Sequence, residues 1–229
     1  MYEKILKIVL DLYSKVGNNY SWELPENLPI EIPKHLSNYE KNLFLKENLH
    51  KIIDEENFEK IAYWIINSWG GIPLKENENN KNRLKKFKNK LDKNIENLTK
   101  DEFSIISSLS KIASFYCPEK YSIYDSRVIY SLNWLIFKNN LESNYFPQPA
   151  SRNSAMTEYD QKTIFNLSKR KINYYSNNDA YFEYCKLINE ISKNAKDIKN
   201  YQIEMFLFSI ADTIIIDDMK NSLSLIIKN

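Results

Sequence analysis

The chain has 229 residues, of which 43% are hydrophobic and 14% aromatic, so it can fold around a substantial core. Only 3 glycines and 7 prolines occur, which argues against turn-rich β-sandwiches and glycine-rich nucleotide-binding folds. The net charge of +2 neither requires nor excludes a nucleic-acid partner, because a basic face can be balanced by an acidic one. The composition therefore predicts an all-α fold.

Apolar residues recur at helical spacing along most of the chain, which predicts a series of amphipathic helices. The predicted helices are residues 2–16, 38–53, 56–69, 101–116, 126–139, 157–175, 179–194 and 200–213.

Glycine, proline and charge mark the segments between these helices. Gly17 is expected to close the first helix, and Trp69-Gly70-Gly71 to supply a left-handed glycine cap to the helix at 56–69. Residues 18–37 and 140–156 contain several prolines and are predicted as loops. The Lys-, Asn- and Glu-rich stretch at 75–97 is expected to be the least buried segment, either a solvated helix or a mobile connector.

Signals for export, membranes and cofactors are weak. Cys117 and Cys185 do not form a disulfide framework, and the charged amphipathic helix at 2–16 differs from a signal peptide. No apolar run approaches the roughly 20 residues that a membrane helix needs. His35 and His50 are isolated, and no metal-ligand spacing or nucleotide-binding glycine motif is present. We therefore expect a cytoplasmic protein with no membrane partner and no cofactor.

The most specific stretch lies between residues 108 and 128. Asp125 directly precedes an apolar helical pattern, where its carboxylate can cap the helix and be kept ionised by the helix dipole. Lys111 lies on the preceding helix between apolar neighbours, where partial desolvation favours a neutral, nucleophilic amine. Each residue also has a structural explanation. Asp125 can be an N-cap alone, and Lys111 can extend from the edge of the core to water.

Taken together, these residues resemble the helix-hairpin-helix DNA glycosylases, and most closely their bacterial 8-oxoguanine-glycosylase-like branch. The pattern of that branch is present as Ser110-Lys111, Pro118 and Asp125-Ser126-Arg127-Val128. The ending Ser68-Trp69-Gly70 and the stretch 203–208 are similar to two further elements of the branch, so the resemblance covers most of the chain.

The resemblance implies two helical lobes with a degenerate helix-hairpin-helix and a cleft between them. Residues 1–229 would form a single glycosylase-like domain with its active-site turn at 101–139. The implied reaction cleaves the N-glycosidic bond of a modified base flipped out of DNA and leaves an abasic site. Asp125 would stabilise positive charge on the sugar or activate water, and Lys111 would attack C1′ and permit strand cleavage. Some members of the branch act against modified phage DNA. The expected partner is therefore DNA that contains either 8-oxoguanine or a modified phage pyrimidine.

Further residues are predicted to bind the substrate or the DNA backbone. They are aromatic residues for the walls of a base pocket, an amide for its polar edge, and residues for phosphate or base contacts. The aromatic candidates are Trp69, Tyr124 and Trp134, the amide is Asn133, and the remaining candidates are Arg127, Arg152 and Asn153. Packing in the core is the alternative role for each tryptophan.

The chain also departs from the family pattern. Ser107-Ser108-Leu109-Ser110 stands where related hairpins have a glycine-rich turn that grips a DNA phosphate, and the spacing from Lys111 to Asp125 is shorter than in bifunctional members. Two cysteines cannot hold an iron–sulfur cluster. Two alternatives therefore stay open: a non-catalytic helical module that binds modified or damaged DNA, and a helical interaction protein. No obligate protein partner is predicted.

Overall fold

A computed structural model of the chain describes residues 2–224. Within these residues the fold is all-helical, as predicted, and the one β-bridge there joins Tyr145 to Tyr174. The helices are α1 (Tyr2–Val16), α2 (Asn38–Asn48), α3 (Phe58–Tyr63), α4 (Glu78–Asp92), α5 (Lys100–Ser104), α6 (Ile106–Tyr116), α7 (Ser126–Lys138), α8 (Ser154–Glu158), α9 (Gln161–Leu167), α10 (Ala180–Lys193), α11 (Asn200–Ser209) and α12 (Ile214–Ser222).

Helices α7 and α11 form the centre of the main core. Every residue of α7 from Val128 to Phe137 is buried, and α11 packs along it. Helix α10 packs against α11, and α1 packs against both α7 and α10. The Ser131 hydroxyl donates a hydrogen bond to the Leu207 carbonyl at 2.7 Å, which fixes the position of α7 against α11. This packing brings the first residues of α7 close to the middle of α11.

A smaller apolar cluster lies beside the main core. It joins α2, the 3₁₀ turn Leu49–Ile52, α3 and α6, and a segment at residues 17–37, called the strap, covers part of it. The strap contains no helix, as predicted from its prolines. The buried members of this cluster are Leu45, Leu49, Ile61, Ile65, Trp69, Phe115 and Ile123.

Helix α3 continues into a π-helical turn at Trp64–Trp69, where the backbone hydrogen bonds span five residues. The Gly70 N–H donates to the Ile65 carbonyl at 2.9 Å. Gly71 then adopts a φ of +63°, which confirms the predicted left-handed glycine cap. Single π turns occur frequently at functional sites, and this one ends beside Lys111.

The predicted helix at 101–116 is divided into α5 and α6. Ile105 leaves the helical conformation with φ −118° and ψ 26°, so α6 starts afresh at Ile106. Thr99 and Glu102 form a reciprocal capping box that starts α5 independently. The break turns the first residues of α6 towards a surface pocket, which Ser107 and Ser108 line.

Three other predictions need correction. The prediction of one helix at 157–175 is wrong. Asp160 caps the short helix α9, and Lys169, just after its end, has a φ of +58°. The predicted helix at 200–213 ends early, as α11, at Ser209. A separate helix that was not predicted, α12, begins at Ile214. The stretch 75–97 contains helix α4, the helical alternative of its prediction, but it is not the least buried segment, since three apolar residues of α4 are buried. They are Leu84, Phe87 and Leu91.

No helix within residues 2–224 combines the length and the apolar character that crossing a membrane requires. The division of the chain into two lobes stays a prediction.

Candidate active site

The structure brings Lys111 and Asp125 together. Lys111 lies on α6 and Asp125 caps α7, and 3.6 Å separates Nζ of the lysine from Oδ2 of the aspartate. The aspartate uses its other oxygen, Oδ1, to accept the Arg127 N–H at 2.9 Å. Nζ of Lys111 also donates to the Ser107 carbonyl at 3.0 Å. Asp125 is therefore a helix cap, as its position predicts, and its second oxygen faces an amine.

Hydrogen bonds to the preceding turn fix the position of Asp125. The Tyr124 N–H donates to the Ser110 hydroxyl at 2.9 Å, which ties the turn to α6. The neighbouring Ile123 is held at both backbone groups. Its carbonyl accepts the Tyr184 hydroxyl at 2.9 Å, and its N–H donates to Oε2 of Glu204 at 2.9 Å. The aspartate is thus presented by a rigid turn, which a catalytic group needs.

A small cavity of about 50 Å³ lies against this pair. It has room for a few water molecules, which is less than a nucleobase occupies. Its lining combines two carboxylates and an amine with aromatic and aliphatic walls. The lining residues are Tyr20, Trp22, Trp69, Gly70, Lys111, Ile123, Asp125, Glu204 and Phe208.

An outer pocket of about 890 Å³ lies directly above the cavity. Four residues line both spaces: Trp22, Gly70, Asp125 and Phe208. The outer pocket is also lined by the first residues of α6 and α7 and by the loop 149–154. Asp125 therefore lies at the boundary between a large surface pocket and a small cavity.

Gly70 permits the close approach of Lys111 to the π-helical turn. A Cβ added at Gly70 would lie 2.8 Å from Cδ of Lys111 and 2.8 Å from the Ile66 carbonyl oxygen. Neither distance leaves room for a methyl group. The Lys111 side chain therefore passes the backbone of the π-helical turn at Gly70, a position that has no side chain.

Two aromatic residues of the strap cover the cavity. The Trp22 indole N–H donates to the Trp69 carbonyl at 2.8 Å, and its ring lies edge-on to Phe208 at 5.8 Å. Tyr20 is also edge-on to Phe208, at 5.6 Å. The amide of Asn42 donates to the Trp22 carbonyl at 2.7 Å and so anchors the strap to α2. The strap is held by a few specific bonds and forms the roof of the cavity.

A second ion pair, fully buried, lies beneath the first. Nζ of Lys46 lies 3.7 Å from Oε2 of Glu204, and their side chains are 0% and 3% exposed. Burial lowers the pKa of Lys46 to about 8, and burial raises the pKa of the Glu204 carboxyl. The ammonium also donates to the Ser114 hydroxyl and lies 4.3 Å from the centre of the Phe115 ring. Lys111, Asp125 and Glu204 thus line the cavity together, and Lys46 lies behind Glu204.

Four of the predicted binding residues lie at these pockets. Trp69 lines the cavity, while the outer pocket has Arg127, Arg152 and Asn153 in its lining. Asp212 forms an ion pair with Arg127 at 2.9 Å and accepts a hydrogen bond from the Asn153 amide at 2.7 Å. Arg152 is exposed and forms no ion pair with any described residue. The roles assigned to these residues stay predictions.

Three predicted binding residues are placed elsewhere, so these predictions are corrected. Tyr124, Asn133 and Trp134 are buried in the core and line neither pocket. Their polar groups bind other parts of the fold, which is why they point away from the site. The Tyr124 hydroxyl donates to the Pro147 carbonyl, the Asn133 amide to the Phe146 carbonyl, and the Trp134 indole to Asp218.

The sequence did not single out the buried pair or the strap. Glu204 carried a signal, because it is an acidic residue within the apolar run of α11. Lys46 is one of many lysines, and Trp22 belongs to a proline-rich loop, so neither is distinctive without the structure.

Helix α4 carries several lysines, a residue type that often contacts the DNA backbone. Three of them make ion pairs within the fold: Lys81 with Glu59 at 3.1 Å, Lys88 with Glu55 at 2.6 Å, and Lys90 with Glu102 at 2.6 Å. These pairs fit a solvated structural face better than a nucleic-acid contact.

Comparison of the chain with protein-family models, with curated proteins and with solved structures gives no match. Across the described part of the chain, no group of three or more metal-ligating side chains is placed to hold an ion. Any assignment of function therefore depends on the geometry of the chain's own residues.

Proposed function

We propose that this protein is a DNA glycosylase that cleaves the N-glycosidic bond of a modified base and leaves an abasic site. The observation that carries the proposal is the Lys111–Asp125 pair, at 3.6 Å, on the boundary between a small cavity and a large surface pocket. A flipped base needs an enclosed site, while the DNA backbone needs an open one. We therefore place the bond between base and sugar at this pair.

The charges of the pair suit this reaction. Cleavage of an N-glycosidic bond builds positive charge on the sugar, as in glycoside hydrolysis. Oδ2 of Asp125 is free of the capping bond, so it can stabilise that charge or orient an attacking water molecule. Lys111, as the neutral amine, can instead attack C1′ and form a Schiff base, which leads to strand cleavage.

The walls suit a base and its flanking phosphates. Trp22, Trp69 and Phe208 offer aromatic faces and edges around the cavity. Because about 50 Å³ is too small for a base, the strap must shift to admit one, and Tyr20 and Trp22 are its rings that line the cavity. In the outer pocket, the exposed Arg152 is available to a phosphate. Bases found in modified phage DNA, as well as 8-oxoguanine, are the proposed targets.

The test is release of free base and abasic sites from unmodified DNA, 8-oxoguanine DNA and heavily modified phage DNA. We expect product from a modified DNA, and a loss of about 10²–10⁴-fold in Asp125→Asn. Asparagine caps a helix as well as aspartate does, so the fold should persist. Asp160→Asn, at the N-cap of α9, is the matched control and should retain full activity.

Borohydride trapping in the same assay distinguishes the two nucleophiles. A covalent adduct that disappears in Lys111→Met identifies the amine, and release without an adduct identifies water. A correctly folded Asp125→Asn protein with undiminished release would refute the glycosylase proposal.

The alternative is a non-catalytic module that binds modified or damaged DNA. The observation in its favour is that Lys111 and Asp125 already satisfy one another and the adjacent backbone. Tight binding of one modified DNA that is unchanged in Asp125→Asn, with no base released by the wild type, would support this alternative.

A further inference from the structure

Glu204 has one carboxylate oxygen that the fold leaves unused. Its Oε2 accepts the Ile123 N–H at 2.9 Å and lies 3.7 Å from Nζ of Lys46. Its Oε1 forms no hydrogen bond with any of residues 2–224, although the residue is only 2% exposed. Because Glu204 lines the cavity, a carboxylate oxygen without a partner in the fold is open to a ligand there.

The free oxygen belongs to the cavity, because Glu204 lines the cavity but not the outer pocket. Asp125 lines both spaces. The two carboxylates therefore differ in position: one lies at the mouth of the cavity, where a sugar would be, and the other inside it, where a base would be.

We propose that Glu204 is a second catalytic residue, which protonates the departing base while Asp125 faces the sugar. This inference rests on the proposed glycosylase function and deepens it. It implies a substrate base that leaves poorly as an anion, that is, an uncharged base with a ring nitrogen or carbonyl oxygen that can accept a proton.

The step balances as a hydrolysis. The C1′–N bond breaks, its electron pair passes to the base, and the base takes the proton of the Glu204 carboxyl. Water adds its oxygen to C1′ and gives a proton to Asp125, and solvent returns that proton to Glu204. Where Lys111 adds instead, its nitrogen forms the bond to C1′ and its proton follows the same route.

The surroundings of Glu204 suit a group that gains and loses a proton. Burial raises the pKa of its carboxyl, which favours the protonated form before reaction. After the proton has left, the carboxylate is stabilised by the Ile123 N–H and the Lys46 ammonium. The titratable groups that face it from the strap and from the packed elements are Tyr20, Lys46, Lys111, Asp125, Tyr184 and Cys185.

The test compares wild type with Glu204→Gln on bases of different leaving ability in the same duplex. For the uncharged base that wild type releases, with 8-oxoguanine as the first probe, we expect a loss of about 10²–10⁴-fold. N7-methylguanine already carries positive charge and leaves without a proton, so its release should fall less than about tenfold. The wild-type rate should also decline as pH rises through the pKa of Glu204, and the variant should lack this decline.

Two further variants keep the result interpretable. Lys46→Met/Glu204→Gln removes both buried charges and should fold even if Glu204→Gln alone does not. Glu102→Gln removes another buried carboxylate with a lysine partner, outside both pockets, and should retain activity.

The outcomes separate this inference from the function on which it rests. Wild-type release with an equal loss on both bases, or with an unchanged pH profile, would overturn the role of Glu204 alone. Release of no base from any DNA by wild type would overturn the glycosylase proposal, and the role of Glu204 with it.

Discussion

The buried Lys46–Glu204 pair should contribute to the rate of the reaction but not to the free energy of unfolding. Replacing one partner alone, as in Lys46→Met, leaves the other charge without compensation at a site that is almost fully shielded from water. Replacing both, as in Lys46→Met/Glu204→Gln, removes two desolvated charges and keeps the side-chain volumes similar. We expect the single variant to be strongly destabilised and the double variant to be as stable as wild type or more stable.

The magnitudes follow from the geometry. At 3.7 Å and an effective dielectric constant of about 20, the attraction between the two charges is roughly 4–5 kcal/mol. Desolvation costs several kcal/mol for each ion, so the attraction does not offset it fully. The pKa of Lys46 gives the same sign, because a fall from the ordinary 10.5 to about 8 corresponds to a residual penalty of roughly 3 kcal/mol. The single variant should therefore lose about 3–5 kcal/mol, and the double variant should gain about 0–4 kcal/mol.

Urea denaturation at pH 7, followed by circular dichroism, measures both changes. Because the proposed proton donor is absent from the double variant, that protein should be stable and yet release base about 10²–10⁴-fold more slowly than wild type. A double variant that is destabilised as much as Lys46→Met would refute the reasoning, since the pair would then be a net contributor to stability.

Two further predictions concern the walls of the cavity. Trp22→Ala removes an aromatic wall of the cavity and should lower kcat/KM for base release about 5–150-fold, as expected for the loss of one stacking ring. Trp22→Phe should retain most activity. Equal activity in Trp22→Ala and wild type would exclude contact between this ring and the base. Gly70→Ala places a methyl group 2.8 Å from the Lys111 side chain, so it should cost about 1–3 kcal/mol in thermal unfolding and slow base release. Gly71→Ala is the control, because it has open space but a φ of +63°, and it should reduce stability while leaving the rate unchanged. Unaltered release by Gly70→Ala would show that the position of Lys111 is not critical.

Much of the fold could be predicted because most helices bury one face and end at a visible signal. The helices around 2–16, 126–139 and 179–194 agree with α1, α7 and α10 to within about one residue at each end. The predicted helix boundaries that are wrong lie where local backbone geometry determines the end of a helix. The break at Ile105 and the early end of α9 at Lys169 depend on non-helical φ values at residues that carry no glycine or proline signal.

The site could be predicted only where its residues are close in sequence. Lys111 and Asp125 belong to consecutive helices, and a short turn brings them together. Glu204 comes from α11 and Lys46 from α2, so their meeting depends on how distant helices pack, which periodicity does not specify. The predicted placement of Tyr124 at the base pocket was wrong for a related reason. The direction of a side chain in a turn depends on which hydrogen bonds the neighbouring residues make.

The charge arrangement links the two proposed roles of the Lys111–Asp125 pair. While Lys111 is an ammonium, its charge 3.6 Å from Asp125 opposes the field that the carboxylate exerts on a developing sugar cation. Once the lysine loses its proton, the same event produces a nucleophile and releases the full charge of the carboxylate. A bifunctional reaction through Lys111 therefore removes the positive charge that opposes Asp125, whereas a reaction through water leaves that charge in place.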